Sequence, residues 1–372
     1  MLVYISLFVW KILILIKEKL FMSEKVKIGF VGVGSMGQCA HLKNYVTVPE
    51  CEVVAIAELR QNLAKRVAEK YGVPRVYTSH EEMIEKEALD GIVSAQPFTR
   101  HGIHVPELLK AGVPVMTEKP LAGSLEAGEK IVKAMKESGT WHMVGYHKRS
   151  DPATMYAKAE IDKLKANGEL GRMTYVRILH CGGDWVANGF IDMVHSNDPA
   201  PPLDWDPPAS DMDKDTYNQY VSFVNYWIHQ VNLLRHLLGE GYQVKYADPP
   251  GRLLVGQSDS GITCEIELSP FRTTVDWVET ALVAFEKGYV KIDLPAPLAS
   301  NRPGIVEIFK DPGDGVTPTK MTPQLPWVHA MRQQAMNFVK AIKGEIKPMC
   351  DAIEAYEDLK VAREYLKLWR GV

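Results

Sequence analysis

The stretch KIGFVGVGSMGQ, residues 27–38, constrains the fold of this chain more than any other feature. An apolar run, residues 28–31, leads directly into Gly32-x-Gly34-x-x-Gly37 and then into a segment compatible with a helix. The first glycine permits a tight turn off a strand, the second lets a pyrophosphate approach the backbone, and the third allows close packing of helix on sheet. N–H groups at the helix start then face the phosphate charge. Glycine turns are common, so an ordinary strand turn is the alternative interpretation.

Strands and helices alternate after this turn. Continuous apolar runs at residues 53–57, 91–95 and 113–116 are separated by helix-compatible segments. This alternation with short links is typical of a parallel, doubly wound sheet. The sequence therefore predicts an α/β fold whose N-terminal part is a Rossmann dinucleotide-binding domain.

Glu58 ends the second predicted strand. A carboxylate at this position of a dinucleotide fold accepts hydrogen bonds from the adenosine ribose and repels a 2′-phosphate, which predicts NAD as the cofactor, with NADP less favoured. Arg60 weakens this preference, because a guanidinium two residues later can meet a phosphate. A surface glutamate at a strand end is the alternative.

Lys119 follows the strand at residues 113–116, within Glu118-Lys119-Pro120. Ligands of open α/β sheets bind outside the carboxyl ends of the strands, so Lys119 is predicted to reach the ligand crevice. In the second half, a predicted helix over residues 217–238 is apolar around most of its circumference. Its polar residues form one stripe at helical spacing, and their alternative role is a buried structural network. The stripe consists of Asn225, His229, Asn232 and His236.

At these residues the chain resembles the glucose-fructose oxidoreductase and inositol dehydrogenase (Gfo/Idh/MocA) family. The resemblance rests on GVGSMG, Glu58, the Glu118-Lys119-Pro120 loop, the segment at residues 141–145 and the histidine helix ending at residue 239. It extends from about residue 25 to the C-terminus. It implies a second α+β domain with an open, mainly antiparallel sheet, a homo-oligomer (dimer or tetramer), and Lys119 and His229 as the acid/base pair. The implied domains are residues 23–147 for dinucleotide binding and residues 148–372 for substrate and oligomer contacts.

The predicted ligand contacts follow from the motifs and this resemblance. The cofactor-binding set is Gly32, Gly34, Ser35, Met36, Gly37, Glu58, Arg60, Gln96, Pro97, His101, Glu118 and Lys119. The substrate-binding set is Lys119, Tyr146, Trp185, Asn225, His229 and Asn232. Many family members carry aspartates where this chain has Asn225 and Asn232. An imidazolium at His229 therefore lacks that stabilising charge, and Lys119 or an aspartate from another segment would have to compensate.

Residues 182–215 form a long loop between a predicted strand and the histidine helix. It contains Trp185, Phe190 and Trp205, eight aspartates and only one lysine or arginine. Aromatic faces and carboxylates suit sugars, and an acidic rim disfavours phosphorylated substrates. We therefore expect a neutral sugar, polyol or glycoside as substrate; a solvated loop or an oligomer arm is the alternative.

Three functions fit these features. The preferred one is an NAD-dependent dehydrogenase of a sugar or polyol hydroxyl. The second is a glycosidase in which bound NAD oxidises the substrate transiently, and the third is a non-catalytic sugar or NAD sensor. The presence of both Lys119 and His229 disfavours the sensor.

Composition excludes several classes. The chain of 372 residues has 43 basic and 46 acidic residues and a net charge of −3, so no nucleic-acid or membrane-surface partner is predicted. Five dispersed cysteines indicate reduced thiols and a cytoplasmic location. No metal is predicted, since His101 and His104 form an HxxH without a third ligand at a useful spacing.

The first 22 residues are an apolar leader unlike the rest of the chain. The run from residue 2 to 16 contains Lys11 and is shorter than a bilayer span. We expect an over-extended translation start, with Met22 as the true one. A membrane-interface anchor and a signal segment are the alternatives.

Overall fold

The structure is a computed structural model that describes residues 25–199 and 201–372. The apolar leader, and with it the question of where translation starts, lies outside the described residues. Within the described part, no helix is both long and apolar enough to cross a membrane.

The first domain is built on a six-stranded parallel sheet, as predicted. Its strands run in the order β3-β2-β1-β4-β5-β6. The order reverses between β1 and β4, so the carboxyl ends of these two strands border the ligand crevice. The strands are β1 (Val26–Val31), β2 (Cys51–Ala57), β3 (Arg75–Tyr77), β4 (Gly91–Ser94), β5 (Val115–Glu118) and β6 (His142–Gly145).

Helices connect these strands and cover both faces of the sheet. The longer ones are α1 (Gln61–Tyr71), α2 (His80–Lys86), α3 (His101–Leu109) and α4 (Leu125–Ser138). Side chains of Ser79 and Ser124 cap α2 and α4 by accepting backbone N–H bonds. The segment after the glycine turn differs from the predicted α-helix: Gly37–Leu42 forms a π-helical turn, followed by one α-turn at Lys43–Tyr45. Such π-turns occur often at functional sites.

The second domain is a mixed eight-stranded sheet in the order β14-β13-β12-β11-β7-β10-β9-β8. All its pairings are antiparallel except β7 with β10, which confirms the mainly antiparallel prediction. The sequence predicts strands at residues 172–180, 252–255, 262–268, 275–285, 289–294 and 304–309 but does not predict β8 or β14. The strands are β7 (Met173–Gly182), β8 (Tyr242–Ala247), β9 (Leu253–Ser258), β10 (Thr263–Leu268), β11 (Val278–Phe285), β12 (Gly288–Asp293), β13 (Ile305–Lys310) and β14 (Thr319–Met321).

The histidine helix is broken in two. The structure has α6 (Lys214–Tyr226) and α7 (Ile228–Leu238), separated at Trp227, whose backbone φ and ψ are −99° and −10°. Pro152 starts the preceding helix, α5 (Pro152–Asn167), as predicted. Because of the break at Trp227, the side chains of the predicted polar stripe do not all face the same cavity.

The last two helices return to the first domain. In α8 (Ala330–Ile342), Phe338 is fully buried and meets Tyr45 edge to face, with ring centroids 6.3 Å apart, within the core that contains β1. Helix α9 (Ala352–Arg370) follows, and its Asp351 cap side chain accepts the N–H of Glu354. The division at residue 148 therefore describes the sheets, whereas the C-terminal helices tie the two sheets together.

Candidate active site

A cavity of 1090 Å³ opens at the carboxyl ends of the first sheet and extends to the second domain. Of the predicted cofactor-binding residues, all except His101 line it. Of the predicted substrate-binding residues, Lys119, Trp185, Asn225 and His229 line it. The structure therefore brings together residues that are more than a hundred positions apart in sequence.

The glycine turn has the geometry that a dinucleotide requires. Gly32 has a φ of +86°, which a side chain would disfavour. A Cβ on Gly37 would lie 2.4 Å from the Gly32 carbonyl oxygen, so the turn and the helix start are in close contact. A Cβ on Gly34 would project into open space, with only Nη2 of Arg60 nearby at 3.5 Å. The turn thus leaves a cradle beside exposed backbone where a pyrophosphate fits.

Glu58 and Arg60 form a closed pair at the end of β2. Nε and Nη2 of Arg60 donate to Oε1 and Oε2 of Glu58 at 2.9 and 3.0 Å, and the Val33 N–H donates to Oε2 at 3.0 Å. Burial alone would raise the pKa of Glu58, but the hydrogen bonds from Arg60 and Val33 outweigh it, and the pKa is lowered. The carboxylate is therefore ionised, and its charge is shared with a guanidinium that also lines the cavity.

Lys119 is held from both domains. Its Nζ donates to the backbone carbonyl oxygen of Asn225 at 2.5 Å, just before the break between α6 and α7. Its own N–H donates to Oε2 of Glu118 at 3.2 Å, while Oε1 of Glu118 lies 2.6 Å from Nε2 of His41 on the π-helical turn. Burial lowers the pKa of Lys119, although the Glu118 carboxylate opposes this shift. A lysine with a lowered pKa can exchange a proton nearer to neutral pH.

His229 begins the first turn of α7 and faces the same cavity. Its ring is 4.6 Å from that of His147, measured between centroids, at an angle of 74°. Burial lowers the pKa of His229 well below its usual value, and the neighbouring His147, Lys119 and Lys148 add to this shift. His229 is thus a neutral imidazole. Its main neighbours in this respect are basic side chains, and positions 225 and 232 carry asparagines instead of carboxylates.

Four residues that the sequence analysis did not single out complete this end of the cavity: His147, Lys148, His180 and Gln230. Lys148 forms a buried ion pair with Glu279 on β11 and lies over the Trp277 ring, 5.5 Å from its centroid. Gln230 donates to Oε1 of Glu279 at 2.7 Å. His147 and Lys148 follow β6 directly, so the strand-end argument that found Lys119 also applies to them.

Several buried polar atoms on this wall lack a hydrogen-bond partner among the described residues. They are Nδ1 of His147, Nδ1 of His180, Nδ1 of His229 and Oε1 of Gln230. Buried polar groups without partners are unfavourable, and clusters of them indicate a ligand or ordered water. The four atoms belong to residues that line one cavity, so a ligand with several hydroxyl groups would satisfy them together.

Three predicted contacts lie outside the cavity lining. Asn232 is fully enclosed: its Oδ1 accepts from Nε of Arg149 at 2.7 Å, and its amide donates to Asp358 at 2.7 Å. It belongs to a structural network because α7 runs inward against α9. His101 is buried behind the Gln96 loop, with ring nitrogens 3.1 and 3.2 Å from the carbonyl oxygens of Leu121 and Gln96. Tyr146 is buried and packs edge to face on His229, at 6.0 Å between centroids.

The aspartates of the long loop, residues 182–215, have a different role from the predicted one. Of its residues, Trp185 lines the cavity together with Gly182, Gly183, Pro201 and Leu203, but none of its eight aspartates does. Two of these aspartates instead attach the loop to the first domain. Asp198 accepts from Asn62 at 2.7 Å and from the Leu63 N–H at 2.8 Å, and Asp206 accepts from the Gly102 N–H at 2.8 Å. Gln38 and Val194 exchange two hydrogen bonds. The loop therefore crosses over the cofactor cleft.

Comparison with known proteins agrees with this architecture. A family model described as the oxidoreductase family with an NAD-binding Rossmann fold (GFO_IDH_MocA) matches residues 26–146. The chain is also similar to scyllo-inositol 2-dehydrogenase (NAD(+)) of Bacillus subtilis, with 26% identity over 67% of this chain and 68% of that protein. Residues 26–146 thus belong to the Gfo/Idh/MocA oxidoreductase family, as the sequence predicts. The chain is an NAD-binding oxidoreductase of the class that acts on CH–OH groups.

One further similarity concerns the sequence and another concerns the fold. Inositol 2-dehydrogenase of Rubrobacter xylanophilus is 35% identical over 44% of this chain and 46% of that protein. The matched segment thus spans less than half of that relative. The aldose-aldose oxidoreductase of Caulobacter crescentus has the same fold, with a TM-score of 0.67 over 94% of this chain and 98% of that one at 19% identity.

Proposed function

We propose that this family member uses NAD to oxidise, or NADH to form, a hydroxyl group of a neutral polyol, sugar or glycoside. The observation that carries the proposal is the group of four unpartnered buried atoms beside Lys119. They are hydrogen-bonding groups without formal charge, as a neutral hydroxyl-rich ligand requires. Relatives named as inositol dehydrogenases support the same substrate class.

The charges of the cavity also favour a neutral substrate. Lys148 is paired with the carboxylate of Glu279, and Oε1 of Glu118 contacts Nε2 of His41. At this end of the cavity an anionic substrate would find Lys119 as a cation without a salt bridge among the described residues, and an additional carboxylate would lie near Glu279. The carboxylates of the long loop lie outside the cavity lining and do not contribute to this preference.

Lys119 is the proposed proton acceptor, and His229 acts with it by holding the reacting hydroxyl. The substrate hydroxyl lies between Nζ of Lys119 and the His229 ring and gives its proton to unprotonated Lys119, whose pKa is lowered by burial. Protonation of His229 is opposed by Lys119 and Lys148, so its neutral ring holds the hydroxyl in place. NAD, held by the turn at residues 32–37 and by Glu58, would supply the acceptor for the carbon-bound hydrogen and its two electrons, so that the carbonyl product would remain. In the reverse direction Lys119 returns the proton.

The proposed cofactor preference is NAD, with Glu58 on the adenosine ribose. Glu58 is ionised and fixed at the end of β2 by the Val33 N–H. Arg60 reduces the discrimination, since it neutralises Glu58 and presents a guanidinium to the same part of the cavity. We therefore expect a modest preference for NAD over NADP.

The test is a substrate panel of inositols, neutral sugars, glycosides and sugar phosphates with each cofactor, followed by NADH or NADPH formation and by product analysis. Turnover of a neutral polyol with stoichiometric NADH supports the proposal. Faster turnover of a sugar phosphate, or cleavage of a glycoside without net NADH, contradicts it.

The matched variants are Lys119→Arg, which keeps the charge but not the proton acceptor, and His229→Gln. Each should lower turnover by ~10²-fold, the usual contribution of a positioned acid or base. Lys110→Ala, on the exposed end of α3, is the control and should leave turnover unchanged.

A further inference from the structure

A second cluster of ligand-type side chains lies at the other end of the cleft. His80 opens α2, while His104 and Glu107 lie one turn apart on α3. One potential ligand atom from each of the three lies within 4.8 Å of the others. The HxxH motif did not indicate this cluster, because only its second histidine, His104, belongs to it and His80 comes from a different helix.

The distances suit a small divalent cation. Zinc binds histidine nitrogen and carboxylate oxygen at about 2.0–2.2 Å, so two ligands of a tetrahedral ion lie ~3.4 Å apart. Nε2 of His80 lies 3.3 Å from Oε2 of Glu107 and 3.4 Å from Oε1 of Glu81. Both separations match that spacing, and Glu81 or water can complete the set.

The two imidazoles have free ligand capacity. Nε2 of His80 is buried and has no hydrogen-bond partner among the residues that the structure describes. The His104 ring meets that of His80 edge to face, with centroids 4.8 Å apart. Nε2 of His104 lies 3.1 Å from the Ser94 hydroxyl, the kind of outer partner that orients metal-binding histidines.

We infer that His80, His104 and Glu107 form a binding site for one Zn²⁺ or a similar first-row divalent cation at the adenosine end of the cleft. The site is separate from the Lys119 and His229 end. Its mixed nitrogen and oxygen donors favour zinc over magnesium or calcium, which prefer oxygen alone. His80 and His104 also line the dinucleotide cavity, so a bound ion would form part of its wall.

The experiment is a calorimetric titration of chelator-treated, desalted protein with Zn²⁺ alone, supported by the visible spectrum of Co²⁺ in the same site. The wild-type protein should bind one equivalent, with the Co²⁺ absorption of a low-coordinate nitrogen and oxygen site. His80→Ala and Glu107→Gln should each weaken binding by more than ~10-fold, the lower end of the effect of losing even an outer-shell partner. Both residues lie near the surface, and thermal unfolding verifies that the variants are folded.

Controls locate the ion. Two variants should leave the affinity for Zn²⁺ unchanged: Glu85→Gln, on the exposed side of α2, and His195→Ala, at an exposed position of the long loop. His229→Gln should also leave it unchanged. The inference is overturned if the wild type binds no stoichiometric Zn²⁺, if His80→Ala binds as well as the wild type, or if His229→Gln is the variant that loses the ion.

Discussion

Replacing Arg60 with alanine should sharpen the choice between NAD and NADP. In the structure both oxygens of Glu58 accept from the Arg60 guanidinium, which is also the cation closest to the Gly34 cradle. The change removes a guanidinium placed to meet a 2′-phosphate and frees Glu58 for the ribose hydroxyls. A charge-assisted hydrogen bond contributes about 1.5–3 kcal/mol, and each 1.4 kcal/mol is tenfold in affinity. NADPH binding should therefore weaken ~10- to 100-fold, while NADH binding stays the same or tightens.

The assay is fluorescence titration of the protein with NADH and with NADPH. The ionic strength is kept fixed, because salt screens the attraction between the 2′-phosphate and charged side chains. Glu58→Gln should act in the opposite direction, since it removes the charge that repels the 2′-phosphate. Lys65→Ala, on the exposed side of α1, is the charge-matched control. If Arg60→Ala leaves the ratio of the two dissociation constants unchanged, Arg60 does not reach the ribose and this account of cofactor selection is wrong.

Three further predictions concern the pH dependence of the reaction, the stability of the fold and the long loop. The rate of substrate oxidation by the wild type and by His229→Gln should rise with pH through the lowered pKa of Lys119, whereas Lys119→Arg should lose this rise. Identical pH profiles in all three proteins would exclude Lys119 as the proton acceptor. Burial lowers the pKa of His142 to about 3. Below about pH 6.5 the unfolded chain therefore binds a proton at this residue that the folded chain does not bind. The free energy of unfolding should fall by ~1.4 kcal/mol per pH unit on account of His142 in this range. Denaturant titrations at several pH values should show a smaller slope in His142→Gln, and an unchanged slope would contradict this. Asp198→Ala removes the acceptor of the hydrogen bonds from Asn62 and Leu63. The rate of NADH release in stopped-flow measurements should then rise several-fold. An unchanged release rate would show that the long loop does not retain the cofactor.

The sequence predicted those parts of the site that local rules determine. The position of Lys119 follows from its place after a parallel strand, and the glycine turn follows from backbone geometry at Gly32 and Gly37. His147 and Lys148 were open to the same strand-end argument, but their segment was interpreted as the entrance to the second domain. Their role at the cavity became visible only when Glu279 and His229 were placed beside them.

Other features depend on tertiary contacts that periodicity does not contain. Helical spacing put Asn225, His229 and Asn232 on one stripe, yet Asn232 meets Asp358 because α7 continues into the core beneath α9. Composition indicated that the acids of the long loop bind sugar, whereas Asp198 and Asp206 bind backbone N–H groups of the first domain. In both cases the residue type was informative, but its partner was decided by distant segments.

The central claim is that Lys119 and His229 convert a hydroxyl of a neutral polyol with net transfer of electrons to NAD. Its most direct test measures NADH and ketone product together, in one reaction of the purified protein with the best neutral polyol of the panel. The account predicts one NADH for each ketone formed in the wild type and a loss of ~10²-fold in both signals in Lys119→Arg. Product without NADH, or full activity in Lys119→Arg, would contradict it.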